Sequence, residues 1–396
     1  MSEKLLMLAT MIKNEEQRAV KTIRSAEPFV DMILVLDTGS TDNTVSMVME
    51  TLQQMNKPYC VKHTIFKNYR DTMNELLNIC NTEFNEYTFI MPLDANAEVR
   101  NGEIIRPYLR KCKENRDLMT IHSTFEFDND MLVGVKKLFS YILAVRNTEL
   151  IRWKGPPIHC YIGTANSEDV GRYTFDYSLK VSNLTIYQDR MKDKPNNDRW
   201  DRDIDMLLKY IQEQKQNEKS SVYNTVRAYR YLLTTFMNKM DYKTLLRWAN
   251  IFFEEHKQFI ETHKEYNDDY YVIMKYTSCA MFHTTNDIDI NDSTQMCLKS
   301  YNYIKSRNVD YCEPLYNLFI FLLRNKMTEE AYKYLKLCCC CPDLRDRTIN
   351  IGELQISEGI FTERWKNLLR LAFELNKITD YDWIIKSAKK AGVMTF

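Results

Sequence analysis

The feature that most constrains the fold is a regular alternation of strand and helix patterns over about the first hundred residues. Four short apolar runs have the length and composition of strands: 5–12, 31–37, 59–66 and 87–94. Three segments between them have helix patterns: 14–26, 40–55 and 70–80. Strands joined through helices pair in parallel, because a parallel connection has to cross over one face of the sheet. The sequence therefore predicts an α/β domain whose mainly parallel sheet is covered by helices on both faces.

The pattern changes in the middle of the chain and again near residue 200. Strand-like runs at 119–127 and 138–145 have no long helix between them, and the charged stretch 188–203 is predicted to be a loop leading out of the domain. Beyond it, helix pairs are predicted to start near these positions: Val222 and Asp241, Asp269 and Asp292, Glu313 and Thr328. The pairs recur at roughly 45 residues, which exceeds the roughly 34 of a standard tetratricopeptide repeat. We predict an α/β domain at 1–200 and a helical-hairpin domain at 201–396.

Composition limits the classes of function. The 396-residue chain has 54 basic and 54 acidic residues, so no net positive charge draws it to nucleic acid. No apolar run approaches the roughly 18 to 20 residues of a membrane span, and the N-terminus does not resemble a signal peptide. Eleven cysteines without such a signal predict reduced thiols. These observations together predict a cytoplasmic protein without a membrane span.

Two aspartates follow apolar runs at the predicted carboxyl edge of the sheet. Asp37 ends the second run and precedes "TGSTDNT", and Asp94 ends the fourth. Open parallel sheets bind ligands beyond the carboxyl ends of their strands. An ionised carboxylate in that position is stabilised by a ligand, a metal or water. The alternative is that each aspartate caps a helix or forms a turn.

Three segments resemble the opening motifs of family 2 glycosyltransferases, which are inverting nucleotide-sugar enzymes with a GT-A fold. They are "MIKNEE" at 11–16, "VDMILVLDTGSTDNT" at 30–44 and "LDANAEV" at 93–99. The resemblance is to the branch of the family with a C-terminal tetratricopeptide-like helical region. It covers residues 5 to about 100 well and 145–210 loosely. It implies a GT-A domain followed by an all-α, helical-repeat-like domain.

The resemblance implies a nucleotide-sugar site at these motifs. The residues that it assigns to donor binding are Thr10, Glu15, Asp37, Gly39, Asp42, Arg70 and Asp94. Asp37 would accept a hydrogen bond from the base or ribose, and the turn at Gly39 would let the backbone approach the ligand. The alternative for Arg70 is a surface arginine at a helix N-terminus.

The resemblance also implies a divalent cation, Mn²⁺ or Mg²⁺, which hard oxygen ligands hold beside the donor diphosphate. The family supplies these ligands from a D-x-D triplet after the fourth strand. Here the triplet is Asp94-Ala95-Asn96, so the implied metal ligands are Asp94 and Asn96. Asn96 offers a carbonyl oxygen without charge and should hold the cation more weakly than an aspartate.

The general base of the implied reaction has several candidates. Residues 145–163 resemble the family segment that carries tryptophan, a glycine turn and His-Glu; His159 is present, but Cys160 stands at the glutamate position. An inverting transfer needs a base to deprotonate the acceptor hydroxyl. The candidates are His159 and the pair Glu168 and Asp169, and the alternative for His159 is a buried structural histidine. A downstream family histidine has its counterpart at Tyr187.

The leading prediction is an inverting glycosyltransferase that moves a hexose or N-acetylhexosamine from a UDP-linked donor to a protein or glycan acceptor. The helical domain would form a homodimer or present the acceptor. The alternative is a catalytically impaired, glycosyltransferase-like scaffold that binds proteins through its helices, as the departures at Asn96, Cys160 and Tyr187 indicate. A dinucleotide-dependent oxidoreductase is excluded, because no G-x-G-x-x-G follows the first strand.

Overall fold

The chain forms two compact units, Met1–Arg199 and Trp200–Phe396, in a computed structural model. The structure describes residues 3–114, 120–128, 135–164, 184–188, 197–217, 221–262, 268–284, 290–306, 312–341 and 358–393.

The N-terminal unit is an α/β domain. Its elements are β1 (Leu6–Ile12), α1 (Glu16–Ala26), β2 (Met32–Asp37), α2 (Thr44–Gln53), β3 (Tyr59–His63), α3 (Tyr69–Glu83), β4 (Phe89–Pro92), β5 (Ala97–Arg100), α4 (Ile105–Cys112), β6 (Thr120–Asp128), β7 (Val135–Arg146), β8 (Ile151–Lys154), β9 (Tyr161–Thr164) and β10 (Thr185–Gln188). Eight strands form one sheet in the order β3-β2-β1-β4-β7-β6-β10-β5, and β8 pairs with β9 separately. The strands β1 to β4 pair in parallel, whereas β7 is antiparallel to both β4 and β6. The predicted α/β class with a mainly parallel sheet is confirmed.

Strand β2 shows why the sheet needs helices on both faces. All of its residues are buried. Because successive side chains point to opposite faces, Ile33 and Val35 pack with α1 and α2, while Leu34 and Leu36 pack with α3. The parallel pairing of β1, β2 and β4 brings their carboxyl ends to one edge of the sheet, where the loops leave the core.

The elements that the structure describes in the C-terminal unit are all helices. Its helices are α5 (Asn197–Gln216), α6 (Val222–Asn238), α7 (Tyr242–Glu255), α8 (Lys257–Thr262), α9 (Asp268–His283), α10 (Ile290–Lys305), α11 (Glu313–Arg324), α12 (Thr328–Cys340), α13 (Glu358–Glu374) and α14 (Tyr381–Lys390). Helix α6 packs on α7 and α9, α9 on α10 and α11, and α11 on α12 and α13. The second helix of each pair also packs on the first helix of the next, so each hairpin contacts its neighbour as in a helical repeat. The predicted starts of the three pairs are confirmed to within two residues.

The loop predicted at 188–203 is wrong over its described end, because α5 begins at Asn197. Ile204, Leu207 and Ile211 are buried at helical spacing. The charged residues on the other face give the segment its loop-like composition. The helix is stabilised because the apolar residues on one face are buried together.

Polar contacts join the first helices of successive hairpins. They are Arg230–Asp269 between α6 and α9, Lys275–Glu313 between α9 and α11, and Asn367–Tyr316 between α11 and α13. Arg230 is only 5 % exposed and lies 2.5 Å from the Asp269 carboxylate. A buried charge of this kind is stable only with its partner in place. Within the described part of the chain, no helix has both the length and the apolar character to cross a membrane.

Candidate functional site

The β1–α1 and β2–α2 loops, which carry the first two motifs, form one hydrogen-bonded unit at the carboxyl edge of the sheet. The Thr44 hydroxyl accepts the backbone N–H groups of Glu15 and Glu16, each at 2.8 Å. The Asn14 side-chain oxygen accepts the backbone N–H of Thr41 at 2.8 Å. The polar residues of both motifs therefore hold the loops together.

Asp37 ends β2 and has its carboxylate fixed from several sides. Oδ1 accepts the backbone N–H of Ser40 at 3.1 Å, and Oδ2 accepts that of Gly39 at 3.3 Å and lies 3.2 Å from His63 Nδ1. Burial of the carboxyl raises its pKa, but hydrogen bonds from Ser40, His63 and Gly39 outweigh this effect and lower the pKa of Asp37 below its ordinary value. The site thus holds a buried carboxylate in its charged form.

The turn after Asp37 depends on glycine. Gly39 has φ +97°, and no heavy atom of the described residues lies within 4 Å of the place where its Cβ would be. This is the left-handed region that L side chains rarely adopt. The backbone at Gly39 therefore lies open on the side where a ligand can approach.

Asp94 lies two residues beyond the end of β4 and contacts side chains from two other elements. The Tyr69 hydroxyl of α3 donates to Oδ1 at 3.0 Å. The Gln188 amide at the end of β10 donates to Oδ2 at 3.3 Å and to the Asn96 side-chain oxygen at 3.0 Å. The two predicted metal ligands are thus neighbours that share one amide, and Asp94, Asn96 and Gln188 together are called the Asp94 cluster.

Gln188 is a site residue that no sequence motif reveals. Its neighbour Tyr187, the counterpart of the family histidine, stacks its ring against Arg100, whose guanidinium carbon is 3.5 Å from the ring centroid. Gln188 pairs in register with Ala97 on β5, next to Asn96. This pairing joins residues far apart in the chain, so no local motif marks it.

The oxygens of Asp94 and Asn96 could hold a divalent cation. Both lie within 3.3 Å of the same atom, Gln188 Nε2, so they converge on one point. If the side-chain amide of Gln188 flips by about 180°, its carbonyl oxygen takes the position of Nε2 and gives a third hard ligand. The set carries one charge, and the described residues contain no cluster of three or more His, Cys, Asp or Glu side chains suited to a metal. These metal-binding oxygens therefore suit a weakly held cation whose coordination is completed by oxygens of a bound substrate.

Strand β8 and the turn after it are hydrogen-bonded to α3. Asn74 exchanges two hydrogen bonds of 2.8 Å with the backbone of Trp153, and Arg70 donates to the Gly155 carbonyl at 2.7 Å. The Trp153 and Tyr69 rings meet edge to face with centroids 5.8 Å apart. Arg70 therefore positions the glycine turn, and its contact with a nucleotide stays a prediction.

The base candidates differ in how far the structure describes them. His159 is exposed and has φ +54°, so the alternative of a buried structural histidine is wrong. Cys160 beside it is half-buried. Glu168 and Asp169 lie outside the described residues. The identity of the general base stays a prediction.

The remaining predicted donor contacts have local roles in the fold. Glu15 forms an ion pair of 2.6 Å with Arg18, and exposed Asp42 accepts the Thr44 backbone N–H at 3.0 Å at the start of α2. Thr10 on β1 is 1 % exposed, and its buried hydroxyl has no hydrogen-bond partner among the described residues. The donor-binding roles of these three residues stay predictions.

Comparison with solved structures finds distant likenesses. A structure titled BtubC (BKLC) from P. vanneervenii is 10 % identical over 51 % of this chain and 75 % of that one, with a TM-score of 0.39. A Podosopora anserina putative kinesin light chain with TPR-like repeats is 8 % identical over 50 % and 88 %, with a TM-score of 0.34. S. aureus TarS 1–349 is 10 % identical over 76 % and 89 %, with a TM-score of 0.31. Likenesses this distant say nothing about function.

Comparison with protein families gives a direct match, whereas no curated protein matches the sequence. Residues 9–167 match the family described as Glycosyl transferase family 2. The matched region contains both loops at the carboxyl edge, Asp94, Asn96 and His159, whereas Gln188 lies beyond it. The match to glycosyl transferase family 2 therefore lies within the N-terminal unit of this chain.

Proposed function

We propose that this protein is an inverting glycosyltransferase that moves a hexose or N-acetylhexosamine from a UDP-linked donor to a protein or glycan acceptor. The observation that carries the proposal is that two aspartates, Asp37 and Asp94, lie at one edge of the sheet in a domain that matches glycosyl transferase family 2. Asp37 ends β2 and Asp94 lies just beyond β4, and both strands are parallel to β1, so the two aspartates stand at the same edge of the sheet. That edge is where open parallel sheets bind nucleotides.

The Asp37 loop suits the nucleoside part of the donor. The carboxylate is charged and fixed by neighbouring N–H groups, so it can accept a hydrogen bond without reorganising. The open backbone at Gly39 admits a ribose or a phosphate close to the chain. Arg70 would contact the nucleotide of the donor, as the family resemblance implies.

The Asp94 cluster suits the diphosphate. We assign Asp94 and Asn96 as ligands of Mn²⁺ or Mg²⁺, with Gln188 as a third once its amide has turned over. When bound, the cation would neutralise charge on the leaving nucleotide diphosphate. The Tyr69 hydroxyl holds the Asp94 carboxylate in place from the other side. His159 or Asp169 would take the proton from the acceptor hydroxyl.

Gly39→Ala should lower both stability and donor binding. The side chain strains the backbone at φ +97°, and we expect a loss of about 1–2 kcal/mol of unfolding free energy. Gly392→Ala is the matched control, because Gly392 has φ +67° and equally open surroundings outside the N-terminal unit. Urea unfolding should show a loss in both variants, and calorimetry should show weaker UDP binding in Gly39→Ala alone. Equal UDP binding by both would remove Gly39 from the site.

Asn96→Asp should strengthen metal binding. A second carboxylate adds charge to a set that has one, and we expect Mn²⁺ affinity in the presence of UDP to rise about tenfold. Calorimetric titration with Mn²⁺ measures the change. Glu98→Gln, two residues along on β5, is the control and should leave the affinity unaltered. An unchanged or reduced affinity in Asn96→Asp would show that residue 96 is not a ligand.

Hydrolysis of the donor tests the proposal as a whole. Intact protein with Mn²⁺ is incubated with UDP-glucose, UDP-galactose and their N-acetylhexosamine counterparts, and the release of UDP is measured. Release that depends on Mn²⁺ supports the proposal. Absence of both binding and hydrolysis for every sugar nucleotide contradicts it.

A second candidate is a glycosyltransferase-like scaffold that binds proteins through its helical unit. The Gln188 amide favours it, because this group already satisfies the oxygens of Asp94 and Asn96 that a cation would use. Donor hydrolysis that disappears in Asp94→Ala would exclude the scaffold.

A further inference from the structure

His63 stands beside Asp37 because of strand register. It is the last residue of the edge strand β3, and it pairs directly with Asp37, the last residue of β2. Residues paired in parallel strands point to the same face of the sheet. The His63 side chain is 64 % exposed, whereas that of Asp37 is 6 % exposed. An exposed imidazole therefore covers a nearly buried carboxylate.

The contact fixes the hydrogen-bonding state of both groups. An ionised carboxylate only accepts, so His63 Nδ1 carries the proton and donates to Asp37 Oδ2. Gly39 donates to the same oxygen, and Ser40 donates to Oδ1. The carboxylate thus has its plane set by the turn on one side and by the histidine on the other.

The contact joins an exposed donor to a nearly buried, charged acceptor. Among the described residues, Asp37 accepts the one hydrogen bond that the His63 side chain makes. Hydrogen bonds to charged groups are stronger than those between neutral groups, so the imidazole limits rotation of the carboxylate. A ligand that bonds to Asp37 depends on this orientation.

We propose that His63 is a positioning residue of the nucleoside site, which holds the Asp37 carboxylate in the orientation that accepts a hydrogen bond from the nucleoside of the donor. This inference rests on the proposed function. It assigns His63 to recognition of the nucleoside and separates it from the diphosphate, which the Asp94 cluster serves.

Three substitutions of His63 distinguish the effect of the hydrogen bond from the effect of the ring. Asparagine places an amide N–H near the position of Nδ1–H and preserves the bond to Asp37. Phenylalanine preserves a ring without the donor, and alanine removes both. The control is Lys62→Ala on the same strand, whose side chain bonds to Glu83 of α3 and therefore points to the other face of the sheet.

The test is calorimetry of the intact chain with UMP, CMP, GMP and AMP, using for the variants whichever nucleotide the wild type binds most tightly. We expect His63→Ala and His63→Phe to weaken its binding about tenfold, and His63→Asn and Lys62→Ala to stay within about threefold of wild type. Binding of pyrophosphate with Mn²⁺ should be unchanged in all variants. Melting temperatures close to that of wild type would exclude a purely structural effect.

The outcomes keep this inference separate from the proposed function. Binding of no nucleotide by wild type would overturn both. Nucleotide binding by wild type that His63→Ala leaves unchanged would overturn only the role of His63. Weak binding by His63→Asn with normal binding by His63→Phe would also overturn it, because the ring and not the hydrogen bond would then matter.

Discussion

Replacing Asp94 by alanine is expected to abolish the metal-dependent part of donor binding and to slow donor hydrolysis by about 10²- to 10³-fold, the range typical of losing one group that stabilises developing charge. Asp94 is the only charged group of the proposed Asp94, Asn96 and Gln188 ligand set, so its removal leaves two neutral amides. Metal-independent binding of the nucleoside should persist. The measurement is calorimetry with a UDP-sugar in Mn²⁺ and in a chelator, together with UDP release.

Two controls accompany the Asp94 variant. Asp205→Ala removes an exposed acid of α5 and should behave as wild type. Tyr69→Phe removes the hydroxyl that donates to Asp94 and should give a smaller loss than Asp94→Ala. The metal assignment is mistaken if Asp94→Ala binds the donor with Mn²⁺ as tightly as wild type.

Replacing Asp37 by alanine is expected to weaken nucleotide binding about 10- to 100-fold, and by the same factor with and without Mn²⁺. Hydrogen bonds to a charged partner contribute about 1.5–3 kcal/mol, which corresponds to this range. The dependence on metal therefore separates the two acids: Asp94 acts through the cation and Asp37 does not. Parallel titrations of UDP in Mn²⁺ and in a chelator measure the difference.

Asp37→Ala also removes the acceptor for the N–H groups of Gly39 and Ser40, so the variant needs a check on folding. Asp37→Asn retains the shape and one acceptor oxygen and should destabilise the protein less. Circular dichroism and a urea midpoint identify the fraction of folded protein for each titration. A loss of binding confined to the Mn²⁺ titration would contradict the role given to Asp37.

The sequence predicts β1 to β4 and the hairpins from α6 to α12 because apolar periodicity is strong over long segments. The strands β5, β8, β9 and β10 are each four residues long and contain polar residues, so they carry little pattern, whereas the equally short β4 is an unbroken apolar run. Helix α5 begins in a segment with a loop-like composition because its charged residues outnumber its apolar stripe. Apolar runs thus predict their elements, and short mixed or highly charged segments do not.

The site divides in the same way. Asp37 and Asp94 were found because each directly follows an apolar run in a specific motif. Gln188 and His63 were missed because their importance comes from strand pairing: β10 returns beside β5, and β3 ends level with β2. A parallel register between the second and third strands would have placed His63 near Asp37, whereas no local signal places Gln188.

The most direct test of donor binding is a thermal-shift titration of the purified chain with a panel of nucleotides and sugar nucleotides, with and without Mn²⁺. A ligand that binds the folded state raises the melting temperature, and the rise grows with the ratio of ligand concentration to Kd. We expect a shift for a UDP-sugar that is larger in Mn²⁺ than in a chelator, and a smaller, metal-independent shift for UMP. No shift with any nucleotide in either condition would contradict it.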